Sequence, residues 1–315
     1  MYCIFRNLIS NMSQKNVNIL LSTYNGEKFV LEQLNSIYEQ TYPFIKIYVR
    51  DDGSSDSTLN LLKNEQSQGK ITLLPSGDNI GAAASFFTLL SDSSGADFFA
   101  FCDQDDIWNK DKIERAVIML DSVTDGVPTM YFSAVEVVDA EDNFIKVLSP
   151  KRKIGFGNAL VENVAIGCSV VLNKLARALI VRELPSQCLM HDSWCYLVMS
   201  CLGLVVYDDY PSMRYRQHSN NVFGAPTSSM DSLIRKVKRF SFRKKGVFRF
   251  SDQVTIFMKI YGNIIPENNK EVIGLYARAE HSFFGRLQLL LSPAVWRQKR
   301  FDNLILKLLV LLNCY

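Results

Sequence analysis

The sequence is poor in histidine and has no paired cysteines. Three His and seven Cys, at positions 3, 102, 168, 188, 195, 201 and 314 with no C-x-x-C spacing, argue against a Cys/His zinc site. Scattered thiols of this kind read as reduced cysteines of a cytosolic protein. There is no G-x-G-x-x-G and no G-x-x-x-x-G-K-[S/T], so neither a dinucleotide fingerprint nor a P-loop holds phosphates. No apolar run reaches the roughly 20 residues that a spanning helix needs. Leu304–Leu312 is interrupted by Lys307, and 197–207 contains Ser200 and Gly203. The first fifteen residues lack the apolar core and cleavage site of a signal peptide. Met12 stands just before the first expected strand, and a start there is expected to make 1–11 a frayed extension.

What is present is a globular composition, 48% apolar and 21% charged, in 315 residues. That length suits one large domain or two small ones. The net charge of +3 conceals an asymmetry. Between Arg235 and Arg249 stand eight basic residues and no acidic one, which leaves 3 − 8 = −5 for the rest.

Short apolar runs alternate with helical spacings over the first 120 residues. Strands are expected at 17–22, 45–49, 71–74 and 98–102, and helices after each. Such a β-α repeat predicts a mostly parallel sheet covered on both faces. Beyond 125 the pattern becomes mixed. Strands are expected at 129–139, 144–148, 166–172, 204–207 and 213–217, with helices at 174–182 and 191–201. From Met230 the chain reads as helical, basic and apolar by turns.

The polar motifs all fall at the carboxyl ends of the first four strands, where open α/β sheets bind ligands. These are Ser22–Asn25, Asp51/Asp52, Asn79/Gly81 and Asp103–Asp106. Asp103, Asp105 and Asp106 repel one another unless a cation intervenes. Carboxylate oxygens suit Mg²⁺ or Mn²⁺, which commonly bridge to substrate phosphates. A nucleotide diphosphate is the natural partner. Tyr24 is placed to stack on a base, and Asp52 to accept from a ring N–H, with Ser22 and Asn25 completing the contacts.

Ser22-Thr-Tyr-Asn-Gly26, Tyr48-Val-Arg-Asp-Asp-Gly-Ser-Ser-Asp-Ser-Thr58, Asn79-x-Gly81 and Phe101-Cys-Asp-Gln-Asp-Asp-Ile-Trp108 together resemble the inverting family 2 glycosyltransferases of GT-A fold. The resemblance covers 17 to about 222. It implies a nucleotide-sugar donor, with Tyr24 and Asp52 on the base, Asp103 at the ribose or diphosphate, and Asp105 on the metal. It also implies a catalytic base at a helix start beyond the sheet. The matching stretch is Met190-His-Asp-Ser-Trp194, so Asp192 is the expected base. His191 stands where Glu is common, either assisting or capping the helix. Arg214-Tyr-Arg-Gln-His-Ser-Asn-Asn221 is similar to a rhamnosyltransferase-like branch. There His218 is expected as metal ligand or diphosphate donor and Arg216 as a charge clamp. Trp108 and Trp194 are open between sugar platforms and core packing. The residues after Val222 read as a loop over the donor.

The implied organisation is a GT-A domain at 12–228, with a donor half at 17–122 and an acceptor half at 123–228. A helical extension follows at 229–315. The implied reaction transfers a sugar, first dTDP-rhamnose, to a lipid-linked glycan of a bacterial surface polysaccharide. UDP-galactose, UDP-glucose and N-acetylhexosamine donors are the alternatives. The basic, Phe-studded 235–249 and the terminal helix are expected to dock an anionic membrane surface from the cytoplasm. The terminal helix suits a second subunit equally well. The rival from another class is a basic nucleic-acid-binding protein with a non-catalytic α/β domain. No other feature resembles a nucleic-acid fold.

Overall fold

The computed structural model describes residues 14–75, 77–123, 126–218 and 248–311. The proposed start at Met12, nearly all of the basic 235–249 segment, the loop after Val222 and the 228/229 boundary lie outside those residues.

The first half alternates as expected: β1 (Val17–Thr23), α1 (Val30–Tyr38), β2 (Ile45–Asp51), α2 (Thr58–Ser67), β3 (Thr72–Leu73), α3 (Ala82–Asp92) and β4 (Phe98–Cys102). A two-residue strand, β5 (Ile107–Trp108), and α4 (Lys112–Asp121) complete it. Then come β6 (Thr129–Val138), β7 (Phe144–Leu148), a short α5 (Phe156–Ala159), β8 (Val171–Asn173), α6 (Lys174–Val181), α7 (His191–Leu202) and β9 (Leu204–Arg216). The tail holds α8 (Phe250–Tyr261), α9 (Glu267–His281), α10 (Phe283–Leu291) and α11 (Arg300–Leu311).

Among the described residues one mixed sheet runs β3-β2-β1-β4-β8-β6-β9-β5, with β7 on β6. The β3-β2-β1-β4 part is parallel, and β8 joins it antiparallel. The chain leaves β1 for β2 and β3 on one side, then returns to place β4 on the other. That reversal opens a crevice at the carboxyl ends of β1 and β4.

Period-two side chains fill both faces of the sheet. Leu20, Phe99 and Phe101 enter one core with α3 and α7. Ile19, Leu21, Ala100 and Cys102 enter the other with α1 and α4. The helical tail belongs to the first core. Val254, Phe257 and Tyr261 pack there, and the Trp194 ring lies 6.3 Å from Phe257 and 6.2 Å from Tyr261.

Three expectations are corrected. The strand expected at 166–172 is largely a 3-10 turn, Gly167–Ser169, followed by β8. Gly167 passes so close to the His191 ring that a Cβ there would meet Nε2 at 2.8 Å. The late strands at 204–207 and 213–217 are one 13-residue strand. Its register against β6 jumps from Asp208 to Pro211, whose missing N–H suits an irregularity. Finally, Trp108 and Trp194 offer no face to a sugar. They are 3% and 0% exposed, because α1 and Lys112 cover the first and α8 covers the second.

Candidate functional site

At the end of β1 the chain is stitched to its neighbours. The Ser22 and Ser85 hydroxyls share a hydrogen bond of 2.7 Å. The Tyr24 backbone N–H donates to Gln104 Oε1 at 2.8 Å, and its carbonyl accepts from Gln104 Nε2 at 3.0 Å. The acidic loop is thereby fastened beside the Tyr24 ring, which stays 48% exposed. Gly26 makes room for it, since a Cβ there would stand 2.2 Å from Gln104 Oε1. Asn25 takes a positive φ of 48° and holds the β2 loop, its Oδ1 accepting from Ser55 N at 2.8 Å.

Asp52 is buried and its carboxylate is engaged by the protein. It accepts from the backbone N–H groups of Ile80 (3.0 Å) and Gly81 (2.9 Å) at the start of α3 and pairs with Arg50. A helix N-terminus favours such an anion. Gly81 reaches it with φ at 83°, a conformation that L side chains resist, and Asn79 Oδ1 accepts from the same N–H at 3.1 Å.

The acidic loop gathers the charges. Burial pushes the Asp103 carboxyl up to about 7, helped by repulsion from Asp105 and then Asp192. Burial, with Asp105 and Asp103, likewise raises Asp106 well above the usual range. Asp103, Asp106 and Cys168 bring potential ligand atoms within 4.8 Å of one another. Crowded carboxylates that hold each other's protons are a donor set that a hard divalent cation fits. Burial first, then those carboxylates, keeps the Cys168 thiol protonated, so the oxygens dominate.

Asp105 Oδ2 lies 2.7 Å from His218 Nε2, and the imidazole stacks on Phe29 at 5.1 Å. The two expected metal residues are thus adjacent. Arg216 lies in the scaffold below them. Its backbone N–H donates to Asp106 Oδ1 (3.1 Å), and its guanidinium holds the carbonyls of Asp105 (3.0 Å) and Ala140 (2.9 Å) and the Glu32 carboxylate (2.7 Å). The expected diphosphate clamp is, in this structure, a clamp on the acidic loop.

Asp192 occupies the first turn of α7 and accepts from Ser193 N at 2.7 Å. Burial pushes its carboxyl up to about 6, against hydrogen bonds from the Ser193 and Gly167 amides and the Asn163 side chain that favour the anion. His191 differs from the expectation. It is fully buried between Phe86 (4.0 Å) and Phe101 (4.7 Å), and burial lowers its pKa to about 3. It is a neutral packing group rather than a proton carrier.

Sequence reasoning missed Gln104, Arg50, Phe29, Glu32 and Cys168. Arg50 and Gln104 lie inside the motifs that carried the resemblance, and their neighbours Asp52 and Asp103 drew attention away. Cys168 carries no local signal, because only the fold brings it to the acidic loop.

The comparisons with known proteins bear on the family and the fold. The family model described as Glycosyl transferase family 2 matches residues 18–134. The dTDP-rhamnosyl transferase RfbG of Shigella flexneri is 30% identical over 309 residues, covering 94% of this chain and 100% of that protein. The UDP-Glc:alpha-D-GlcNAc-diphosphoundecaprenol beta-1,3-glucosyltransferase WfgD of Escherichia coli is 35% identical over 50% of this chain and 60% of its own length. Among solved structures, S. aureus TarS 1–349 in complex with UDP superposes with a TM-score of 0.52 at 16% identity, covering 87% of this chain and 83% of that one. This likeness supports the GT-A fold, a curled mixed sheet with flanking helices. With a full-length relative at this identity, the chain belongs to glycosyl transferase family 2.

Proposed function

We propose that this glycosyltransferase moves rhamnose from dTDP-rhamnose to a hydroxyl of a growing lipid-linked glycan, with inversion and with Mg²⁺ or Mn²⁺. The donor follows the full-length relative, a dTDP-rhamnosyl transferase. The lipid-linked acceptor follows the second relative, whose named acceptor is a diphosphoundecaprenol. That relative's UDP-Glc donor also favours a second reading, a UDP-hexose transferase of the same fold.

The observation that carries the proposal is electrostatic. Burial raises the Asp103 carboxyl to about 7, and Asp105 and then Asp192 stand near enough for their charges to add to the shift. That shared influence on Asp103 supports reading the expected metal ligand and the expected base as parts of one site.

In the proposed mechanism Tyr24 stacks on the base, and Asp52, with Ser22, Asn25, Asn79 and Gly81, shapes the donor end. Asp103 faces the ribose or diphosphate. Asp105 and His218, adjacent at 2.7 Å, are the residues that would hold the cation. When bound, the cation stabilises charge developing on the leaving diphosphate. Asp192, poised near neutrality by burial, takes the proton of the attacking hydroxyl from the opposite side. Arg216 fixes the acidic loop. Residues 12–228 carry this chemistry. Residues 229–315, including the basic 235–249, bring the enzyme to the cytoplasmic face of the membrane. No helix among the described residues is long and apolar enough to cross one.

The test is turnover of a nucleotide-sugar panel by the purified chain with a polyprenyl-diphosphate glycan acceptor. dTDP-rhamnose is expected to be consumed fastest. Preference for UDP-glucose would replace the donor reading, and no turnover of any donor would overturn the function.

A further inference from the structure

Two basic stretches far apart in sequence are joined in the fold. Residues 146–153 and 297–300 together hold seven Lys or Arg and no acidic residue. Gln298, itself buried, does the joining. Its Oε1 accepts from Lys151 N (2.9 Å) and Arg152 N (2.7 Å), and its Nε2 donates to Lys153 O (3.2 Å). Arg152 Nη1 donates to Arg297 O at 3.2 Å, and Lys153 Nζ lies over the Trp296 ring at 4.4 Å. Lys299 stands near enough to Lys146, on β7, to reinforce the lowering of its pKa by burial. Glu162 meets Arg297 at 3.5 Å on the inner side. Lys151, Arg152, Lys153, Lys299 and Arg300 remain exposed. Gathering like charges costs free energy unless an anion faces them.

An apolar row begins where this cluster ends. Helix α11 starts at Arg300. Its Leu306 and Val310 are buried against the body, while Phe301, Leu304 and Leu308 are 60%, 57% and 49% exposed. Polyanions such as nucleic acid reward the charge but leave these side chains in water. A bilayer rewards both, because cations meet lipid phosphates and apolar side chains enter the headgroup boundary.

We propose that this composite surface, the Lys151–Lys153 and Arg297–Arg300 tracts with the exposed face of α11, docks the protein on an anionic phospholipid bilayer. This rests on the reading of a membrane-held acceptor. It assigns docking to a surface assembled by Gln298 rather than to 235–249 alone. Each cation near an anionic leaflet strengthens partitioning about fivefold. Loss of two therefore weakens it about 25-fold.

The experiment is co-sedimentation of the full chain with phosphatidylcholine vesicles, with and without phosphatidylglycerol, at low and high salt. The wild type is expected to bind only the anionic vesicles, more weakly at high salt. Lys151→Glu/Arg152→Glu and Lys299→Glu/Arg300→Glu are each expected to lose at least about 25-fold in partitioning. Phe301→Ser/Leu304→Ser should lower binding at either salt. All should keep wild-type melting temperature and nucleotide-sugar turnover with a soluble acceptor. Should a reversal variant melt early, Lys151→Gln/Arg152→Gln tests the same charge loss more mildly. If these variants bind like wild type while Arg243→Ser/Lys244→Ser/Lys245→Ser does not, this surface is overturned and membrane docking stands. If the wild type binds neither vesicle yet turns over nucleotide-sugars, docking is overturned and the transferase reading stands. Tighter binding to a DNA duplex than to anionic vesicles would overturn the bilayer as partner.

Discussion

Replacing the proposed base should stabilise the protein while silencing it. Asp192 has its carboxyl raised from 3.8 to about 6, chiefly by burial. The folded state therefore binds its proton more tightly than the unfolded state does. As pH rises from about 4 to about 6 the unfolded chain releases that proton first, so stability falls across this window and stays low above it. Keeping so raised a carboxyl ionised costs about 3 kcal/mol as an upper limit. Asp192→Asn removes that penalty and keeps an oxygen for the Ser193 N–H, which donates at 2.7 Å. It turns a second acceptor into a donor facing groups that themselves donate, which takes back about 1 kcal/mol. The net gain is about 2 kcal/mol at pH 8, or roughly 3–6 °C in melting temperature. Differential scanning calorimetry of the two proteins between pH 4 and 8 reads it directly. The gap should be near zero at pH 4 and widest above pH 6, and sugar transfer should be lost throughout. An Asn variant that melts no higher at pH 8, or that still transfers sugar, would refute the reasoning.

Further consequences follow from the same geometry. The log of kcat/KM should rise with pH to a break near 6, because Asp192 must be ionised to accept a proton, and any residual rate of Asp192→Asn should show no such limb. Gly26→Ala places a Cβ 2.2 Å from Gln104 Oε1, so the Gln104 side chain must turn away and give up its two hydrogen bonds to the Tyr24 backbone; we expect a loss of about 1–2 kcal/mol in thermal melts and a raised donor KM. Trp194→Ala empties a fully buried site between α7 and α8 and should cost about 3–5 kcal/mol in chemical denaturation, against almost nothing for a sugar platform in solvent.

Much of this architecture is written locally. The β1, β2 and β4 runs are mostly apolar on both faces, Asn18 and Lys46 apart, and each ends abruptly in polar residues, so the strand ends were visible. The order β3-β2-β1-β4 was not, since pairing is a long-range property. The late irregular stretch was misread at Gly167, where the close approach of His191 makes a turn, and at Asp208–Pro211, where a bulge preserves one strand through a proline. Side-chain roles divided along the same line. Asp103 and Asp192 were recognisable from their places after a strand and at a helix start. Their electrostatic contact, and the joining of Lys151–Lys153 to Arg297–Arg300 by Gln298, exist only in the folded chain. Trp108, Trp194 and His191 show the converse. A ring in a motif is defined by what packs on it, and α8, more than fifty residues beyond Trp194, closes over that one.

Catalysis of the proposed kind depends on the crowded carboxylates at the end of β4 taking up a cation together with a nucleotide diphosphate. The most direct measurement is isothermal titration of dTDP into the purified chain with and without Mn²⁺, for the wild type and Asp105→Asn. We predict binding by the wild type that is strengthened at least about tenfold by Mn²⁺, and an Asp105→Asn protein in which Mn²⁺ makes no difference. Equal binding with and without the metal in the wild type, or an undiminished Mn²⁺ effect in the variant, would contradict that dependence.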